Sequence, residues 1–157
     1  MSDGVFIRRA GKDDAAALAS LHRSCFAEAW SSASFEALLG NEHTFALAAI
    51  GSSARQECDA LIVTSVAADQ AEILTLGTAP AMRRTGLARA LVLAASAEAH
   101  SRGAVEIFLE VADNNAAAAA LYSSMGFSVA GERMRYYRDG TNAMDAKIMR
   151  ASLPLAH

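Results

Sequence analysis

The sequence predicts a single α/β domain over residues 1–157, with a mixed central sheet of about seven strands flanked by about four helices. Three observations lead to this fold class. The length of 157 residues fits one ordinary domain. Strand-like and helix-like segments alternate irregularly along the chain, which is typical of a mixed sheet rather than a purely parallel one. No internal repeat, linker or break in composition divides the chain.

The first half of the sequence contains four predicted strands and two predicted helices. Asp13 or Asp14 is placed to cap the first helix, whose apolar residues recur at helical spacing. Ser31 or Ser32 caps the second helix, and Gly40 ends it. The predicted strands lie at 5–9, 44–50, 59–66 and 71–78, and the third of them has a continuous apolar middle.

The second half contains two more predicted helices and three more strands. Asp113 or Asn114 caps an alanine-rich helix that runs to about Met125, and Gly126 supplies a left-handed stop. The strand before this helix alternates between apolar and polar side chains, as expected for a half-buried strand. The predicted ranges are helix 86–102 and strands 105–111, 127–131 with 134–137, and 145–149.

Composition and charge exclude several classes of protein. Alanine supplies 37 residues, whereas Leu, Ile, Val and Phe together supply 34, so we expect closely packed helices. The 14 basic and 17 acidic residues lack the basic excess of a general nucleic-acid-binding protein. Cys25, Cys58 and the four histidines have no metal-ligand spacing, so we expect no metal and a reduced compartment. Neither a membrane span nor a targeting signal is apparent, and the expected location is cytoplasmic.

The segment Arg-Arg-Thr-Gly-Leu-Ala, residues 83–88, has the features of a phosphate-binding turn. It lies between a predicted strand and a predicted helix, where backbone N–H groups converge on one point. Gly86 permits a backbone conformation that a Cβ atom disfavours, and Ala88 leaves room for a ligand. The alternative interpretation is a helix N-terminus that carries two solvated arginines. The spacing matches neither of the common glycine-rich nucleotide motifs.

This segment resembles the [RQ]-x-x-G-x-[GA] signature of the GCN5-related N-acetyltransferases. Further likeness to that family lies in Leu109-Glu110-Val111, Asn115, Leu121-Tyr122 and Gly126-Phe127. The resemblance implies a mixed, mostly antiparallel sheet and acetyl-CoA as the acetyl donor. The residues that we assign to acetyl-CoA are Leu76, Gly77, Thr78, Arg83, Arg84, Thr85, Gly86, Leu87, Ala88 and Asn115.

Within the family, the chain resembles most the bacterial ribosomal-protein alanine N-acetyltransferases. The landmarks are Trp30-Ser31 with Phe35, Tyr136-Tyr137 before Asp139-Gly140, and Asp145-Ala146 before Met149. The chain departs from that pattern at Ala29, Ala79 and Ala112, where a proline, a valine and a basic residue are usual. These departures affect the expected selectivity for the acceptor more than the expected binding of acetyl-CoA.

Acetyl transfer to an amine requires a base for the amine and an acid for the departing thiolate. The resemblance implies that Glu110 is the base, although alternation alone also fits a solvent-facing glutamate. Glu72, predicted to share a face with Leu74 and Leu76, is either a second carboxylate or an acceptor contact. An α-amine has a pKa of about 7.7–8.0 and a lysine about 10.4, so one carboxylate suits an N-terminal amine better.

Tyr122 is the candidate acid, with a buried core tyrosine as the alternative. Asn115 and Tyr122 are seven residues apart, so two helical turns place them on one face with Ala118 and Ala119 between them. This row of small side chains suits the pantetheine arm of acetyl-CoA. The side chains that we expect to line the acceptor channel, or else to lie on an exposed strand, are Arg133, Arg135, Tyr136 and Tyr137.

Three functions agree with these residues. The first is acetyl-CoA-dependent acetylation of a protein N-terminal amine, with the N-terminal alanine of small-subunit ribosomal protein 18 as the expected substrate. The second is acetylation of a small-molecule amine or amino acid on the same fold. The third is a non-catalytic partner subunit that binds acyl-CoA, against which the presence of both Glu110 and Tyr122 argues.

Overall fold

Seven strands form one mixed sheet in the computed structural model, which describes residues 6–50, 58–134 and 145–155. In chain order the strands are β1 Phe6–Ala10, β2 Thr44–Ile50, β3 Ala60–Ala67, β4 Gln70–Thr78, β5 Glu106–Ala112, β6 Ser128–Arg133 and β7 Ala146–Ser152. They lie in the order β1-β2-β3-β4-β5-β7-β6, and each neighbouring pair except β4–β5 is antiparallel. The predicted mixed, mostly antiparallel sheet is confirmed.

Four α-helices accompany the sheet in the described residues, as predicted. They are α1 Ala15–Cys25, α2 Ser32–Leu39, α3 Leu87–Ser101 and α4 Ala116–Ser124, with short 3₁₀ turns at Lys12–Asp14 and Pro80–Met82. Ser31 caps α2, because its side chain accepts a hydrogen bond from the Ser34 N–H at 3.1 Å. Gly103 and Gly126 follow α3 and α4 with φ of 102° and 99°, as left-handed helix stops.

Each face of the sheet carries its own hydrophobic core. Along β2, Phe45, Leu47 and Ala49 pack on the α3 side, whereas Ala46 and Ala48 pack on the α1 side. Because helices cover both faces, the central strands are apolar at nearly every position instead of alternating. Helices α3 and α4 contribute to the first core, and helices α1 and α2 contribute to the second.

Helix α4 begins later than the sequence predicts. Its N-cap is Asn115, whose Oδ1 accepts a hydrogen bond from the Ala118 N–H at 3.1 Å. Asp113 and Asn114, the predicted caps, form the turn between β5 and α4 instead. The reason is that the Asn115 N–H bonds to the Ala112 carbonyl at 2.9 Å, which closes this turn before the helix starts.

Strand β4 contains a β-bulge at Leu74. The register passes from Thr75 to Ile73 on β4 while it advances by one residue on β3. The extra residue reverses the alternation, so that Leu74 packs in the α1 core and Leu76 packs in the α3 core. The prediction that Glu72, Leu74 and Leu76 share one face is therefore wrong for Leu76.

Strands β4 and β5 pair over only part of their length. The parallel ladder joins residues 70–72 of β4 to residues 106–108 of β5. Both strands then continue, to Thr78 and Ala112, without pairing to each other. The strand ends therefore diverge and leave an opening in the sheet. The two strand edges that face this opening carry backbone N–H and C=O groups that do not pair between β4 and β5.

Candidate functional site

The opening between β4 and β5 holds a cavity of about 640 Å³. Its walls are the diverging ends of both strands, helix α4, and the C-terminal end of α1. The predicted site residues that line it are Leu76, Gly77, Thr78, Arg83, Ala88, Glu110, Asn115 and Tyr122. The fold therefore brings residues from four separate segments of the chain to one cavity.

The turn before α3 combines left-handed backbone conformations with backbone N–H groups that the helix does not use. Arg84 and Gly86 both have left-handed backbones, with φ of 65° and 88°. A Cβ atom on Gly86 would meet nothing within 4 Å, so the backbone conformation and not crowding favours glycine there. The first bond within α3 runs from the Ala90 N–H to the Gly86 carbonyl, so the N–H groups before Ala90 are not used within the helix.

Three side chains of this turn contact other parts of the protein. Leu87 is 1% exposed and packs in the α3 core, so only its backbone can contact a ligand. The Thr85 hydroxyl donates to the Met82 carbonyl at 2.5 Å. Arg83 Nε donates to the Thr78 carbonyl at 3.3 Å, which places this guanidinium at the cavity. A contact between these residues and a phosphate stays a prediction.

Glycine at position 77 has a packing reason. A Cβ atom there would lie 3.1 Å from Cys25 Sγ and 3.3 Å from the Phe26 ring. Cys25 Sγ also donates to the Thr78 carbonyl at 3.4 Å. The small residue thus lets the end of α1 approach β4 and brings Cys25 and Phe26 to the cavity wall.

Glu110 lies where three cavities meet. Its carboxylate is 27% exposed, and its Oε2 lies 3.6 Å from Arg133 Nε. Besides the large cavity, it lines one of about 330 Å³ together with Trp30, Leu38 and Glu72. A third cavity, of about 300 Å³, contains Glu72, Glu110 and Arg133. Glu110 therefore connects the large cavity with the two smaller ones, and Glu72 adds a second carboxylate to both of the smaller cavities.

Tyr122 is buried at the α4 wall of the cavity, with 7% of its surface exposed. Its ring packs against Phe127 at a centroid distance of 5.6 Å. Burial raises the pKa of the Tyr122 phenol to about 12. A thiol has a pKa of about 8.5, so the phenol is much the weaker acid and complete proton transfer from it to a thiolate is unfavourable. The site therefore favours Tyr122 as a neutral hydrogen-bond donor.

Asn115 stabilises α4 and also lines the cavity. Because its oxygen caps the helix, its side-chain NH₂ is the group that can contact a ligand. Ala118 lines the cavity between Asn115 and Tyr122, as predicted from helical spacing. Ala119 packs against the α3 core instead.

His22 is a residue of this region that the sequence reasoning did not select. It is 3% exposed, and its Nδ1 accepts a hydrogen bond from the Trp30 N–H at 3.0 Å. Its Nε2 lies 3.0 Å from Oγ1 of Thr75, which lines the large cavity. Burial lowers the pKa of His22, so the imidazole is neutral near pH 7. A histidine on the apolar face of a predicted helix is the only sequence signal for it.

Some predictions concern residues beyond the structure's description. Arg135, Tyr136 and Tyr137 lie outside the described residues, so their acceptor role stays a prediction.

Among the described residues, no group of three or more His, Cys, Asp or Glu side chains is arranged to hold a metal ion. No described helix has both the length and the apolarity needed to cross a membrane.

Most of the chain matches a known protein family. The sequence profile of the Acetyltransferase (GNAT) family matches residues 15–127. The chain belongs to the GNAT family of acetyltransferases. The matched region contains both diverging strands, the turn at residues 83–88, Glu110 and Tyr122.

Two curated GNAT relatives and two solved structures are similar to the chain. The [ribosomal protein bS18]-alanine N-acetyltransferases of Salmonella typhimurium and Escherichia coli are each 39% identical over 97 residues, 62% of this chain. The match spans 64% of the length of each relative, slightly less than two thirds.

The structure of the ribosomal-protein-S18-alanine N-acetyltransferase from Escherichia coli superposes with a TM-score of 0.84 and 29% identity, and covers 98% of this chain and 96% of that chain. Arabidopsis thaliana NAA60 in complex with acetyl-CoA, at 18% identity, has a TM-score of 0.83 over 95% of this chain and 98% of that one. The second likeness concerns the fold alone.

Proposed function

We propose that this chain is an acetyl-CoA-dependent N-acetyltransferase that modifies a protein N-terminal amine, namely the N-terminal alanine of ribosomal protein bS18. The observation that carries the proposal is the parting of β4 and β5 around a cavity that reaches from the start of α3 to Glu110. Membership of the acetyltransferase family and the bS18-specific relatives support the reaction and the acceptor.

The cavity suits acetyl-CoA in both charge and shape. The unused N–H groups at the start of α3, with Arg83 and Arg84 beside them, favour the pyrophosphate. The unpaired edge of β4 and the NH₂ of Asn115 can bind the amides of the pantetheine arm, which then points toward Glu110 and Tyr122. Bound acetyl-CoA supplies the acetyl group as a thioester.

Glu110 and Tyr122 have complementary roles in the proposed transfer. The amine nitrogen forms a bond to the thioester carbonyl carbon, and the carbon–sulfur bond breaks. Glu110 accepts the proton that the amine loses, directly or through a water molecule. Tyr122 donates a hydrogen bond to the departing sulfur, because burial keeps its phenol protonated.

The cavity of about 330 Å³ that Trp30 and Glu110 line suits the acceptor, and we refer to it below as the smaller cavity. Trp30, Leu38 and Leu74 give it apolar walls of limited size, and Glu72 and Glu110 give it negative charge. An N-terminal alanine combines a small apolar side chain with an ammonium group, so both properties match. Arg135, Tyr136 and Tyr137 are proposed as further acceptor contacts, because they follow strand β6 and Arg133.

The test is acetyl transfer to a peptide that carries the N-terminal sequence of bS18. Tandem mass spectrometry is expected to place the acetyl group on the alanine α-amine. The matched control is the same peptide with its N-terminus blocked and one internal lysine free, which we expect to stay unmodified. Transfer to small amines but not to the peptide would overturn the acceptor assignment, and tight acetyl-CoA binding without any transfer would overturn catalysis.

A further inference from the structure

His22 joins two walls of the site that lie far apart in sequence. Its Nδ1 bonds to the backbone of Trp30, in the wall of the smaller cavity. Its Nε2 contacts Thr75 on β4, in the wall of the large cavity. We propose that His22 is a positioning residue that fixes the Thr75 hydroxyl as a hydrogen-bond donor to the thioester carbonyl oxygen. This inference rests on the proposed acetyl-CoA-dependent function.

The hydrogen bonds of His22 determine which atom carries its proton. A backbone N–H can only donate, so Nδ1 of His22 must be an acceptor and the ring proton must lie on Nε2. The Nε2–H then donates to Thr75 Oγ1 at 3.0 Å. Since Thr75 accepts this bond, its own hydroxyl proton is left for another acceptor.

The surroundings of His22 hold its ring in this orientation. The rings of Phe26, Trp30 and Phe35 lie at centroid distances of 4.5, 5.0 and 5.5 Å from the imidazole. A ring flip would break both hydrogen bonds inside this aromatic cluster. The Thr75 hydroxyl is therefore held beside the cavity, with its proton free to donate, before a ligand binds, which favours effective polarisation of a carbonyl.

Thr75 stands at the place where β4 leaves β5. It directly follows the bulge residue Leu74, and it lines the large cavity together with Glu110 and Tyr122. Thr75 is absent from the lining of the smaller cavity that contains Trp30 and Glu72. Its position therefore favours the acyl donor over the acceptor peptide as the partner of its hydroxyl.

Infrared spectroscopy of bound acetyl-CoA with a carbon-13 label in the acetyl carbonyl tests the proposal without an acceptor. A hydrogen bond to the carbonyl lowers its stretching frequency. We expect Thr75→Val to raise this frequency relative to the wild-type chain and Thr75→Ser to leave it unchanged. An unchanged frequency in Thr75→Val would overturn the inference alone. Failure of the wild-type chain to bind acetyl-CoA would refute the proposed function as well.

Steady-state kinetics give a second readout. We expect Thr75→Val to lower kcat by about tenfold, as for the loss of one transition-state hydrogen bond, while KM for the peptide is unchanged. The matched control is Thr64→Val, the same substitution on β3. Its Oγ1 is buried and has no hydrogen-bond partner among the described residues, so this variant should keep full activity.

A double-mutant cycle separates positioning from general packing. His22→Phe keeps an aromatic ring but removes both hydrogen bonds, whereas His22→Gln keeps one donor and one acceptor and should recover part of the rate. If His22 acts through Thr75, the variant with both His22→Phe and Thr75→Val loses no more activity than Thr75→Val alone. Additive losses would contradict the proposal. If His22→Phe does not fold, the same cycle with His22→Gln tests the positioning, and the Thr75 variants still test the hydrogen bond to the carbonyl.

Discussion

Glu110 illustrates how one side chain can serve two neighbouring cavities. Strand alternation directs it away from the buried Leu109 and Val111 and toward the side of the sheet where Trp30 and Leu38 lie. The divergence of β4 then exposes it to the large cavity as well. A carboxylate in this position can reach both an amine in the smaller cavity and a thioester in the larger one.

Replacing Glu110 with glutamine should slow the proposed reaction and leave acetyl-CoA binding intact. A positioned general base is worth about 100-fold or more in rate, so we expect a fall of that order in kcat at neutral pH. Part of the rate should return at higher pH, since more of the α-amine is then neutral. Rates measured against pH and calorimetry with acetyl-CoA check these expectations.

Glu106→Gln is the matched control for this variant. Glu106 lies on the same strand and pairs with Arg150, outside the cavities that Glu110 lines. Its replacement should leave kcat close to the wild-type value. Full activity of Glu110→Gln at neutral pH would show that another group removes the amine proton.

At the scale of single elements, helix α3 combines a structural end and a proposed binding end. Gly86 precedes its first residue and Gly103 follows its last turn, both with positive φ. A Cβ atom at either position would meet nothing within 4 Å. The two glycines therefore have the same backbone requirement, and only Gly86 lies at the turn proposed to bind pyrophosphate.

This pair allows backbone strain to be separated from ligand binding. Gly86→Val and Gly103→Val should each destabilise the fold by about 1–2 kcal/mol, because a β-branched residue disfavours a left-handed backbone. Only Gly86→Val should also weaken the binding of acetyl-CoA, by tenfold or more. Thermal unfolding and calorimetry measure the two effects, and equal affinities of both variants would argue against phosphate binding at this turn.

At the scale of the whole molecule, two buried groups of the described residues, one on each face of the sheet, have a pKa that burial raises. Cys58 lies in the α1 core and Tyr122 in the α3 core. Burial raises the pKa of the Cys58 thiol from 9.0 to about 12 and that of the Tyr122 phenol from 10.0 to about 12. Both groups are protonated in the folded and unfolded chain at neutral pH, so neither affects stability there.

Alkaline pH should therefore destabilise the fold in two steps. Between pH 9 and 12 the unfolded chain loses the thiol proton while the folded chain keeps it, so the free energy of unfolding decreases as pH rises. The phenol adds to this decrease above pH 10. Each group contributes a slope of at most about 1.4 kcal/mol per pH unit. Urea unfolding at a series of pH values measures the effect.

Cys58→Ala isolates the contribution of the thiol. This variant should begin to lose stability near pH 10, where the phenol of the unfolded chain ionises, instead of near pH 9. The comparison uses the dependence on pH, because the smaller side chain also lowers stability at every pH. The same onset in both chains would show that Cys58 is not the group responsible.

The sequence by itself determined those features that depend on near neighbours along the chain. Strand Thr44–Ile50, the Ser31 cap and the left-handed glycines at 86, 103 and 126 all follow from residues within one or two turns. The family resemblance has the same local character, since its motifs are short runs at fixed spacing. For this reason the fold class and the family were predictable.

Only the tertiary structure decided the features that depend on how distant segments pack. The bulge at Leu74 and the parting of β4 from β5 result from strand register, which periodicity does not specify. The contact between His22 and Thr75 joins residues 53 positions apart, and no local pattern predicts that these two side chains meet. Glu72 lies in the paired part of β4, and Glu110 lies beyond the paired part of β5. These two carboxylates likewise line the same two smaller cavities only because the strands are neighbours in the sheet.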